Sequence, residues 1–179
     1  MEEIENIRLT EAGTQLLKRL VGERICYFFT ESIKVHATAD KVLYWAPEFA
    51  LGLTKNKQDQ SFINISADYR LSDKSSTTYY TFEVEESKMP LRCEKLLQSG
   101  RHSEIKVLSA PVFMIEVYQD WNQESGETIH YDAAIVFYTD ARKYMLKVRK
   151  ELIGGVDVIL DEAAIEAELA GLKLRQSLV

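Results

Sequence analysis

The residues with the greatest chemical reach are three histidines, two cysteines and one short acid–base cluster, His130-Tyr131-Asp132. On a strand, His130 and Asp132 project to the same face. A carboxylate beside an imidazole orients it and raises its basicity, which is how a general base is held. His130 and Asp132 are therefore the catalytic candidates. No neighbouring spacing supplies a nucleophile or a substrate-binding group, and a cross-strand polar pair explains the cluster as simply.

The other reactive types offer less. Cys26 lies within the apolar run Ile25-Cys26-Tyr27-Phe28-Phe29, away from the helix N-terminus or cationic neighbour that activates a cysteine, and is expected to be inert. Cys93 follows Arg92 near the start of a short helical pattern, but shares an apolar face with Leu96 and Leu97, which favours packing. A zinc site would need His36, Cys26 and His130 to converge from distant segments, and no HExxH or CxxC spacing is present. No metal is expected. The phosphate-binding loops GxGxxG and GxxxxGK[ST] are absent, so no nucleotide cofactor is expected either. Glu83 and Glu85 share one strand face, and Glu116 and Asp120 lie near another; without a calcium-loop pattern they read as solvated surface.

The aromatic residues are more suggestive. Tyr44, Trp45, Tyr80, Tyr118, Trp121 and Tyr131 come from different strand patterns. Gathered on one concave face they would form a pocket or a protein interface, where Tyr and Trp are favoured anchors. Left apart, they are strand residues with a hydrogen-bonding tip. These six are the binding candidates.

The composition sets limits on partners. Among 179 residues, 22 Lys and Arg stand against 28 Asp and Glu, a net charge of -6. That balance argues against a nucleic-acid surface and against binding to anionic lipid. Two cysteines far apart in the chain point to reduced thiols and a cytoplasmic location. The acidic start, Met1 to Glu5, has no secretory pattern, and no apolar run approaches the roughly 18 residues of a membrane span.

The elements that must position these residues follow from periodicity. Thr10 caps a helix over about residues 10–21, with Leu16, Leu17, Leu20 and Val21 on one stripe and Gly22 as its stop. Strand patterns follow at Arg24–Phe29, Ile33–Ala37, Val42–Trp45, Ile63–Ala67 and Tyr80–Val84. Pro90 opens a second helix that ends at Gly100. Strands resume at Ile105–Leu108, Val112–Tyr118, Ile129–Tyr138, Tyr144–Val148 and Val156–Leu160, with a polar loop over Gln119–Gly126. Asp161 caps a last helix over 161–175, its inner side marked by Ile165, Leu169 and Leu172.

The expected class is α+β: a single domain over 1–179 with a mostly antiparallel, curved sheet and terminal helices. Two similar helix-plus-meander halves, 10–86 and 90–160, or a partly open barrel both fit the element order. The expected function is a non-enzymatic protein-binding or regulatory module that meets a partner through aromatic and acidic residues. The alternative is a small-molecule pocket or enzyme using His130 and Asp132, with Glu116 as a further polar group. Leu174 and Leu178 exceed what one helix stripe needs and are compatible with a homodimer.

Overall fold

Period-two alternation governs most of this chain, and most of it is strand. A computed structural model describes residues 3–53, 62–71, 78–87, 102–124, 127–149 and 154–179. In chain order the elements are β1 (Glu3–Ile7), α1 (Glu11–Lys18), β2 (Arg24–Thr30), β3 (Lys34–Ala37), β4 (Val42–Ala46), β5 (Glu48–Leu53) and β6 (Phe62–Leu71). There follow β7 (Thr78–Ser87), β8 (Ser103–Glu124), β9 (Glu127–Thr139), β10 (Lys143–Val148), β11 (Val156–Ile159), α2 (Glu162–Leu169) and β12 (Lys173–Leu178).

The strands join in the order β3-β4-β11-β10-β9-β8-β2-β5-β6-β7. β1 adds in parallel to β9, and β12 adds antiparallel to β8. β8 links the two halves of this sheet. Its first part pairs with β2 from Ser103 to Pro111, and its second part pairs with β9 from Val112 onward. The register shifts between Ile25 and Tyr27 and again between Val112 and Met114. Pro111, which has no N–H to give a ladder, sits between these shifts. The expected break between Leu108 and Val112 is thus a bend within one strand.

The bend folds the sheet over a single core. Phe28 of β2 meets Tyr144 of β10 edge to face, with ring centroids 6.2 Å apart. The Tyr144 hydroxyl crosses the same gap and donates to the Leu108 carbonyl at 2.7 Å. Phe49, Leu51, Ile65, Val117, Phe137 and Val158 fill the space between the layers. Leu17 and Leu20 bring α1 onto this core, while α2 covers the far face over Val136, Met145 and Ile159.

The α+β class with terminal helices does not hold. Each helix has eight residues, β1 precedes the first, and β12 follows the second. The protein is mostly antiparallel sheet. Nor does a barrel replace it: among the described residues the sheet is open, its strand path ending at β3 and β7. The last helix stops at Leu169, and the chain turns through Gly171 into β12, so residues 173–178 are strand and not helix.

The strand also claims Gln119–Glu124, because a ladder satisfies backbone groups whatever the side chains are. β5, paired with β2 and β6, is a short apolar run because both of its faces are buried. Within it, a Cβ on Gly52 would lie 2.3 Å from the Tyr27 ring, so only glycine fits. The helix expected from Pro90 to Gly100, with Cys93, and the polar segments at 54–60 and 72–76 lie outside the described residues.

Candidate functional site

On the second half of β8, residues opposite the core turn toward the α2 side. Glu116 and Tyr118 are two such residues, and the β8–β9 register sets Val136 and Ala134 beside them. Tyr138, one strand over, reaches back along the same face. The Tyr118 and Tyr138 hydroxyls donate to one oxygen, Glu116 Oε2, each at 2.6 Å. The two hydroxyls lie 3.5 Å apart. Such short O–H···O⁻ contacts are charge-assisted and stronger than neutral ones.

Burial pushes both phenols above their ordinary range, and the hydrogen bonds to Glu116 push them further. Both tyrosines therefore remain donors at neutral pH. Its second oxygen, Oε1, meets the Ser177 hydroxyl of β12 at 3.4 Å.

Apolar residues border the two tyrosines. Phe113 is 51% exposed and lies against Tyr138, with ring centroids 6.3 Å apart. Leu174, opposite Tyr118 in the β12–β8 register, is 46% exposed. A carboxylate held between two tyrosine rings and bordered by exposed apolar side chains suits a cationic group. The charge meets the carboxylate, and its aliphatic stem lies on the rings and the leucine.

Asp132 has a different setting. It is fully buried, and Arg175 of β12 donates to it from Nε at 2.5 Å and from Nη2 at 2.9 Å. The Leu9 amide adds a third bond at 2.8 Å. Asp132 thus ties β9, β12 and the approach to α1 together. His130 is half-buried and sits opposite Trp121 in the β8–β9 ladder.

The aromatic candidates do not share one face. Tyr44 and Tyr80 pack against the main core. Trp45 is buried, donating from Nε1 to the Gly154 carbonyl at 2.9 Å, with Lys34 and Arg149 over its ring. Tyr131 joins Ile7 and Ile129 in a small separate cluster and donates to Asp120 at 2.9 Å. Trp121 is 51% exposed toward the β8–β9 hairpin end. Of the six, Tyr118 alone lies in the Glu116 cluster.

Sequence reasoning missed Tyr138, Phe113 and Ser177 as members of this site. Nothing local marks them, because only the β8–β9 and β8–β12 registers bring them together.

A second polar region lies beside α2. Lys41 and Lys147 straddle Glu168, and Arg149 grips Asp157 through two bonds of 2.8 and 2.9 Å. With His36 they line a cleft of about 450 Å³. Each of its three cations has a carboxylate partner, and the pairs to Glu168 fasten α2 to the sheet.

Among the described residues, no helix is long and apolar enough to cross a membrane. No protein-family model, curated protein or solved structure matches this chain.

Proposed function

We propose that this protein is a protein-binding module that recognises a basic segment of a partner at the Glu116–Tyr118–Tyr138 surface. The observation that carries the reading is one carboxylate oxygen receiving two tyrosine hydroxyls beside exposed Phe113 and Leu174. Folding alone gains little from exposing a phenylalanine and a leucine beside a charge, whereas partner recognition uses such a setting: an apolar border with a polar group that fixes orientation. The chain's net charge of -6 favours approach of a basic partner.

Comparative capture tests the reading. Wild-type protein and the Glu116→Gln variant are each cross-linked in lysate of the source cell, and the products are mapped. The expected result is a partner joined near Phe113 or Leu174 through a basic segment and lost with Glu116→Gln. Identical partners for both proteins, or cross-links confined to other faces, would overturn it.

A further inference from the structure

β12 is a margin of the sheet. Among the described residues β8 is the strand that pairs with it, and its other edge borders a cleft of about 400 Å³. Arg8, Leu9, Gln15 and Lys18 form the opposite wall of that cleft. An edge strand presents a row of backbone donors and acceptors that a further strand can pair with.

The two faces of β12 differ in chemistry. On the α2 side its register places Ser177 beside Glu116 and Leu174 beside Tyr118. An added strand would lie about 10 Å from β8, two strand spacings away. Ser177 is small, so a long cationic side chain on that strand passes over it to Glu116. A neighbouring apolar side chain falls on Leu174. On the opposite face the wall offers Arg8 and Lys18 against the single acid Glu11.

We infer that the partner binds β12 as an added strand, with Lys or Arg turned toward Glu116 and acidic side chains turned toward Arg8 and Lys18. This rests on the reading of the Glu116 surface given above, and it supplies the conformation and charge pattern of the segment bound there. A bulge lies between Leu174 and Gln176. It lets Leu174 face outward while Leu178, 4% exposed, remains in the main core.

The test uses a short fluorescein-labelled peptide with Lys or Val at alternate positions and Glu or Thr between them. Two further forms are N-methylated at one alternate set of residues or at the other. In a strand those sets point their N–H groups to opposite edges, so only one set is needed for pairing. The expected result is anisotropy-detected binding to the full chain that weakens about tenfold or more with one methylated form and little with the other. Glu116→Gln weakens the unmodified peptide about tenfold. Ser177→Arg, at an exposed position, places a competing guanidinium on Glu116 and weakens it similarly.

Equal binding of both methylated forms overturns strand addition, as does no binding at millimolar peptide. If the forms bind equally while Glu116→Gln still weakens them, strand addition alone has failed and the Glu116 surface stands. If the methylated forms differ but Glu116→Gln binds like wild type, the orientation proposed here fails together with that surface.

Discussion

Arg175 holds Asp132 from 43 residues away, with two guanidinium nitrogens on a carboxylate that has no solvent exposure. The pair closes β12 onto β9, and the Leu9 amide brings the approach to α1 into the same bond set. A buried charge that loses its partner costs about 3–5 kcal/mol. Arg175→Met should therefore lower unfolding free energy by that amount, and Asp132→Leu by a similar one. The double variant Asp132→Leu/Arg175→Met should recover much of the loss, because it leaves no charge stranded. Urea unfolding of the four proteins measures the coupling. Additive losses would mean that the ion pair is not what joins these strands.

Glu168 makes the docking of α2 sensitive to acid. Burial alone would raise its pKa, but hydrogen bonds and attraction from Lys147 and Lys41 outweigh burial and hold it below 4.5. In the unfolded chain the group titrates near that ordinary value. Its stabilisation is present above about pH 4.5 and is lost as pH falls through the lower folded value. Because Lys41 and Lys147 are partly exposed, the contribution at neutral pH is modest, about 1 kcal/mol. Glu168→Gln should be less stable than wild type at pH 7, and the gap should close below pH 4.5. Denaturation midpoints across that range check the direction, and a constant gap would contradict it.

Two glycines with positive φ should respond differently to alanine. Gly22 has φ +89°, and a Cβ there would meet nothing within 4 Å. Gly155 has φ +94°, and its Cβ would lie 2.5 Å from Trp45 Nε1 and 2.9 Å from the Ala46 carbonyl oxygen. Gly22→Ala bears the backbone penalty alone, about 1–2 kcal/mol. Gly155→Ala adds a clash with buried backbone, for a total of about 3 kcal/mol or more. In a Trp121→Phe background, which leaves Trp45 as the fluorophore, only Gly155→Ala should shift the emission to the red.

These residues also show how much of the fold the sequence revealed. Alternation marked β3, β6 and β7, apolar runs marked β2 and β4, and the turn and glycine breaks around them marked β9, β10 and β11. β5 carries no alternation to read, since both of its faces are buried. The stripe Ile165, Leu169 and Leu172 carries a helical reading on to residue 175, with Leu174 and Leu178 left outside the stripe, whereas residues 173–178 are β12. A bulge sends those two leucines to opposite faces, and one sequence cannot reveal a bulge. The site was legible in part for the same reason. Glu116 and Tyr118 sit two apart on one strand, but Tyr138 and Ser177 reach them only through register.

The tyrosine pair should give the protein an alkaline limit. Burial, and then hydrogen bonding to Glu116, raise the Tyr118 and Tyr138 phenols above 10.0 in the folded state. The unfolded chain releases those protons near 10.0. The stabilisation is complete below that pH and declines as pH rises through the folded values. Glu116→Gln removes the carboxylate but keeps the burial, so the phenols should titrate lower than in wild type yet above free tyrosine. Ultraviolet titration of phenolate absorbance, with Tyr118→Phe and Tyr138→Phe to assign the steps, measures this directly. Phenols in Glu116→Gln that ionise at the wild-type pH would show that the carboxylate does not hold them, and the cationic site proposed around it would lose its basis.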